Sequence, residues 1–368
     1  MVRECCGECP DFGGRGADCR SGAFTPLKGM KAVAQLTAQF KAALSAIEPD
    51  AADKTNAADA HQQVRAALEA DDRLAGYGID TILIGSYKRN VSIKRIKDVD
   101  VFGRMDDSAD DVEAHDILDH FFHVLDDEFG VDDDGDARCV RQARSVQVSF
   151  PEYDLYVDAV PARPHAGGTW EIPERGDGDE WVETNPDELT ALTTAMNTAH
   201  DGYYVKIVKL LRQTRRAQMG KGSKPGGLFI EILTYHAFDR GLVSGTTHAE
   251  YYASALRGVS SILDDYVNDG VEIPDPTRDD AVLQVRATDQ QYKDLRAALE
   301  DAASRADDAL EMVDEGKAAL IFKDLLGDDE DGAPVFPMPP GYNDDGTKKE
   351  NAYTPGDRNV PGGSHRFG

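Results

Sequence analysis

Two aspartates one residue apart, Asp98 and Asp100, stand in the apolar run Val99, Val101, Phe102, and a Gly-Ser pair, Gly85-Ser86, precedes them at the end of the β-branched run Thr81-Ile82-Leu83-Ile84. In an extended segment residues i and i+2 project from one face, so both carboxylates point the same way while the valines point the other. Two neighbouring carboxylates repel unless a cation lies between them, and Mg²⁺ prefers hard oxygen ligands together with substrate phosphates. A Gly-Ser turn after a strand can aim backbone N–H groups and a hydroxyl at a triphosphate. A third carboxylate, Asp158, occurs in the alternating run Tyr153 to Pro161, on the face opposite Leu155, Val157 and Ala159. This set of residue types points to metal-dependent transfer of a nucleotidyl group.

Gly85-Ser86, then Asp98-Val99-Asp100, then Val157-Asp158-Ala159-Val160-Pro161 resembles the polymerase-β-type nucleotidyltransferase superfamily. Within it the chain is most similar to the cGAS/DncV-like nucleotidyltransferases (CD-NTases) of CBASS anti-phage systems, relatives of the oligoadenylate synthases. The resemblance covers residues 30 to 325. It implies an α+β fold: a polymerase-β-like core, with a mixed sheet flanked by helices, and a helical C-terminal domain. It also implies that Asp98, Asp100 and Asp158 are catalytic and hold two Mg²⁺ ions, with Mn²⁺ able to substitute. NTPs, ATP among them, would be the substrates, and the product a cyclic or linear oligonucleotide that activates a separate effector, not necessarily by direct contact. Two other readings stay open: an RNA-tailing enzyme of the CCA-adding or poly(A) type, and a non-catalytic nucleotide-binding module.

The net charge is −28, from 68 acidic and 40 basic residues. Acids spread over helical surfaces keep a protein soluble in concentrated salt, and a haloarchaeal source is the explanation preferred here. Against that background, residues 81–97, 137–151 and 202–230 carry 15 Lys or Arg and no Asp or Glu. All three windows adjoin the proposed motifs, as a shared cleft for a polyanion requires. Membrane-spanning apolar runs and a signal peptide are both missing from the sequence, which predicts a cytoplasmic protein without a membrane partner, and no nucleic-acid-binding module is recognisable, so no stable nucleic-acid partner is expected.

The elements that must position these residues follow from periodicity. Residues 1–29 hold Cys5, Cys6, Cys9 and Cys19 among Gly, Arg and Pro, and are read as disordered or as an artefact of an upstream start codon; Cys6-x2-Cys9 alone is half a zinc site. A catalytic core over 30–185 begins with two bracing helices, Met30 to Ile47 and Ala57 to Ala70. Further segments are a helix over Ala109–Phe129, an acidic loop at Asp132–Asp136, and strands over Val140–Phe150 and Tyr153–Pro161, the last stopped by Pro161. Asn185-Pro186-Asp187-Glu188 opens a helix with Asn as cap. The helical domain, 186–326, contains a two-faced helix from Tyr203 to Met219 whose Lys206, Lys209, Gln213 and Arg216 share the polar side. Lys206 and Lys209 are expected on the phosphates with Gly85 and Ser86. By resemblance Lys224, in the basic turn before a helix with a buried Glu, is expected there too. Residues 327–368, with 14 Pro or Gly, are read as a disordered tail.

Overall fold

Strand β2 (Asp98–Arg104) lies inside a mixed sheet, and its alternation is the one the sequence predicts: Val99 and Val101 are fully buried on one face while Asp98 and Asp100 emerge on the other. The computed structural model describes residues 36–174 and 180–350, all within one unit. The other strands are β1 (Asp80–Ile84), β3 (Cys139–Arg141), β4 (Val146–Phe150), β5 (Leu155–Pro164), β6 (Trp170–Pro173) and β7 (Trp181–Thr184). The order is β1-β2-β5-β4-β3, with β6 joined to the far end of β5 and β7 to β6. Among the described residues only β2 and β5 run parallel; their register sets Asp100 against Asp158 and Asp98 against Tyr156. On the other side, antiparallel β1 brings Ile84 opposite Asp100, so the Gly85-Ser86 turn leaves the sheet beside the aspartates.

The apolar face of the sheet is covered by α2 (Ala51–Ala70) and α5 (Ala114–Phe129). Val64 and Leu68 from the first, and Phe121 and Leu125 from the second, pack with Val99, Val101 and Val157. Between α2 and β1 lies the short α3 (Asp72–Gly76), and after β1 the single turn α4 (Gly85–Lys88). A second core belongs to α1 (Thr37–Ile47), α6 (Pro186–Ala199), α7 (Tyr203–Met219), α8 (Gly227–Asp239), α9 (His248–Asp269), α10 (Asp289–Glu311) and α11 (Glu315–Leu326).

Several expectations change in the structure. The two N-terminal helices do not brace the sheet together: Phe40 of α1 lies in the helical core, 4.9 Å from the Phe322 ring and 5.1 Å from that of Phe336, and only α2 covers the sheet. Helix α2 starts at Ala51 because Asp50 and Asp53 close a capping box. The strand expected over Val140–Phe150 is a hairpin, β3 and β4, turned where Gln142 N–H donates to the Ser145 carbonyl at 2.8 Å. Strand β5 passes through Pro161, since β4 pairs no further than Ala159 and leaves that side of β5 without a ladder to interrupt. The loop expected before Asn185 includes the β6–β7 pair.

The tail is corrected as far as residue 350. Gln213 Nε2 donates to the carbonyls of Leu326 (2.7 Å) and Asp328 (3.1 Å), and Val335 and Phe336 are buried in the helical core. Two apolar anchors suffice to hold a Gly- and Pro-rich segment once a preformed groove receives them. Helices α10 and α11 are separated where Asp314 accepts from the amides of Gly316 and Lys317. The acidic loop holds itself, with Asp132 Oδ1 accepting from the amides of Asp134 and Asp136. The cysteine-bearing residues 1–29 and the tail beyond 350 lie outside the described residues.

Candidate active site

Gly85 makes the closest approach in the site. Its φ is +73°, in the left-handed region, and a Cβ there would overlap the Asp100 carboxylate. The turn can therefore lie against the aspartate only with glycine at this position. Next in the chain, the Ser86 hydroxyl lies 3.1 Å from that of Ser92. Asp98 is exposed and Asp100 and Asp158 are partly covered. Burial, reinforced by the charges of Asp98 and then Asp158, pushes the Asp100 carboxyl up to about 7. Asp158 is pushed up to about 6 by burial and by Asp98, against the opposing hydrogen bonds of Gln147, at 3.4 Å, and Ser145. Mutual repulsion of this kind is what a bound cation relieves.

Among the described residues no three His, Cys, Asp or Glu side chains converge as a ready-made metal cage, these aspartates included. The donor set nevertheless fits a hard cation that completes its shell with substrate: the oxygens are carboxylate, they line one face across adjacent strands, and their charges oppose one another.

Facing the aspartates is a cationic wall that the periodicity argument assigned to other residues. Two clefts, of about 170 and 500 Å³, share Ser86, Asp98, Arg212 and Gly227. The smaller is lined by Arg95, Lys97, Arg212, Arg215, Arg216 and Lys221, with Glu330 at its edge. Nη1 of Arg212 and both Nε and Nη2 of Arg215 are buried without a hydrogen-bond partner. Donors left in that condition are costly unless a ligand satisfies them. The larger cleft runs from Gly85, Asp98 and Asp100 toward Asn185, Leu189, Ile232, Thr277 and Leu283, between the sheet and the helices.

Lys206 and Lys209 are placed elsewhere, in a separate pocket with Glu48 and Asn90. Lys209 is buried and donates to Glu48 of the α1 C-cap and to Asn90 Oδ1 at 3.3 Å, while Lys206 lies over the Tyr203 ring. Lys224 is exposed and lines neither of the two clefts at the aspartates; Lys221 takes that place. The signal for Arg212 was present, since it falls three residues after Lys209 and four before Arg216 on the same helical stripe. Of the three acid-free windows, 81–97 and 202–230 meet at the clefts, whereas Arg138, Arg141 and Arg144 of the third pair with Glu152, Asp119 and Glu174.

Beneath the clefts the two cores are joined by a buried ion pair. Arg89, which follows α4, donates to both carboxylate oxygens of Glu231 on α8, at 2.6 and 3.0 Å, and Arg212 Nη1 lies 3.9 Å from the same carboxylate. Glu231 is fully buried and Arg89 nearly so. Its position confirms the buried Glu expected on this helix.

Residues 34–197 match the family described as Second Messenger Oligonucleotide or Dinucleotide Synthetase (SMODS) domain. Those residues carry the likeness of this chain to the CD-NTases. The chain is a nucleotidyltransferase of the kind that builds oligonucleotide second messengers from nucleoside triphosphates. A relative of this chain, the cyclic AMP-AMP-AMP synthase of Acinetobacter sp., is 27% identical over 300 residues, covering 78% of this chain and 83% of that protein. The fold is shared with E. coli MS115-1 CdnC in its HORMA-deltaN complex (TM-score 0.60, 18% identity, 81% of this chain and 98% of that one). It is shared also with Bradyrhizobium diazoefficiens CdnG bound to GTP (TM-score 0.61, 15% identity, 79% and 98%). The RNA-tailing and binding-only readings give way to this likeness. Among the described residues no helix is long and apolar enough to cross a membrane.

Proposed function

We propose that this chain joins NTPs, ATP among them, into a cyclic or linear oligonucleotide that signals in antiviral defence, with Asp98, Asp100 and Asp158 as its catalytic carboxylates. The observation that carries the reading is a pair of adjoining clefts: Ser86, Asp98 and Arg212 line both, Asp100 lines the larger with Asp158 opposite it in the strand register, and buried nitrogens of Arg212 and Arg215 lack a hydrogen-bond partner.

Asp98 and Asp100 would hold one divalent cation and, with Asp158, a second; Mg²⁺ or Mn²⁺ there would supply charge neutralisation and a more acidic acceptor hydroxyl. The residues of the chain do the rest. Ser86 and the backbone of the Gly85 turn donate to the triphosphate, and Arg212 and Arg215 offset charge developing on the departing pyrophosphate. Asp158, held by Gln147 and Ser145, faces the acceptor ribose and orients its hydroxyl for in-line attack on the α-phosphate. Lys221, rather than Lys224, is assigned to the phosphates, and Lys206 and Lys209 are assigned no phosphate role. A product-activated effector and a haloarchaeal, cytoplasmic setting belong to the same proposal, the latter supported by the net charge of −28.

The test is incubation of the protein in high KCl with all four NTPs and Mg²⁺ or Mn²⁺, followed by phosphatase treatment and mass spectrometry. A phosphatase-resistant oligonucleotide should form with the wild type and be absent with Asp98→Asn/Asp100→Asn. Incorporation into added tRNA without any such product would refute the proposal.

A further inference from the structure

The loop after α11 places acidic side chains on the very cations that line the smaller cleft. Glu330 accepts from Arg216 Nη1 and from Lys221 Nζ, the latter at 2.9 Å, and it is itself part of the cleft lining. Its neighbour Asp331 accepts from Lys94 Nζ at 3.1 Å and from Arg95 Nη2 at 2.7 Å. Four basic side chains, of which Arg95, Arg216 and Lys221 line the cleft, are thus engaged by two consecutive acids of the same chain.

The loop is built to present them. Asp329 Oδ1 accepts from the amides of Asp331 and Ala333, and the Asp329 amide donates to the Ala333 carbonyl at 2.8 Å, which fixes the tip as a tight hairpin. Its base is fastened on one side by Gln213, which holds the carbonyls of Leu326 and Asp328, and on the other by buried Val335 and Phe336. Solubility alone does not account for this arrangement. An acidic surface needs only exposed carboxylates, whereas Glu330 is largely covered, with its side chain 15% exposed, and points into a cleft whose deeper arginines have donors to spare.

We propose that Glu330, supported by Asp331, is an autoinhibitory strap that competes with phosphate for the rim of the cleft. The proposal rests on the reading that this cleft receives the phosphates of an NTP. Glu330 stands where a phosphate oxygen would meet Arg216 and Lys221. A triphosphate must displace it to reach those cations, while the buried nitrogens of Arg212 and Arg215 in the same lining have no hydrogen-bond partner to give up. Because these are partly exposed ion pairs, competition is strongest at low ionic strength and weakens as KCl rises.

The experiment is calorimetric titration of the full chain with a non-hydrolysable ATP analogue and Mg²⁺ across a KCl series. It compares the wild type with Glu330→Gln and Asp331→Asn, and with Asp307→Asn, which breaks an ion pair to Arg257 away from the cleft, as control. Thermal unfolding accompanies each, and Asp331→Asn, at an exposed carboxylate, carries the test if Glu330→Gln does not fold. Glu330→Gln should bind the analogue roughly 3- to 10-fold more tightly, and Asp331→Asn by less, with the gain shrinking as KCl rises and the control unchanged. A role confined to stability would lower the unfolding temperature without tightening binding. Unchanged or weaker binding by the variants, with wild-type binding intact, overturns the strap and leaves the reading of the cleft standing. Absence of binding by the wild type and variants alike, to the analogue and to tripolyphosphate, overturns the reading and the strap with it.

Discussion

Gly85 has no side chain and the tightest constraint in the site. A Cβ at φ +73° would be both strained and in collision with the Asp100 carboxylate. Gly85→Ala should therefore keep the fold and reduce oligonucleotide synthesis on the order of 10²-fold, because it shifts the phosphate turn relative to the carboxylates. The check is product formation beside an unchanged circular dichroism spectrum, and activity near wild type would refute it. The three aspartates could be read from the sequence because strand alternation fixes which face a residue occupies, and apolar neighbours marked the other face as buried. The cations could not be assigned the same way. A helical stripe says that Lys209 and Arg212 share a side, but which of them meets the cleft depends on what packs along the helix. Glu48, remote in sequence, claims Lys209 and leaves Arg212 for the cleft.

At the scale of elements, the turn α4 and the helix α8 are joined through Arg89 and Glu231, so the catalytic sheet and the helical core share one buried charge network. Removing a single partner from a buried pair leaves an uncompensated charge and costs about 3–5 kcal/mol. Glu231→Ala should destabilise by that amount and lower activity as well, since two guanidinium groups lose their counterion beside Asp100. Denaturant unfolding followed by circular dichroism measures it, and a loss below about 1 kcal/mol would show that the network is dispensable. Elements with strong local signals were legible: Asn185 caps its helix as the sequence promised, its Oδ1 accepting from Glu188 N–H at 3.1 Å, and Tyr203–Met219 is a helix at the expected bounds. The β3–β4 hairpin was not, because Gln142 to Ser145 carries no Gly, Pro or Asn to mark a turn. The assignment of α1 to the helical core likewise depended on tertiary contacts of Phe40 that periodicity does not encode.

For the molecule as a whole, a chain of net charge −28 gathers its positive side chains where two acid-free windows meet. Such a patch steers a polyanion into the cleft against the repulsion of the remaining surface. Composition showed where acids were missing, and the fold shows which of the three gaps converge. It also brings Glu330 onto the cleft and Val335 and Phe336 into the helical core, which no count of Gly and Pro could reveal. The central claim is that one cleft, framed by Asp98, Asp100, Asp158, Ser86 and Arg212, receives the reacting nucleotide. Crystals grown with Mn²⁺ and a non-hydrolysable ATP analogue, with anomalous diffraction to locate the metal, test it most directly. The account predicts anomalous peaks against the three aspartates, with the triphosphate between Ser86 and Arg212. A nucleotide seated instead beside Lys206 and Lys209, with no metal at the aspartates, would contradict it.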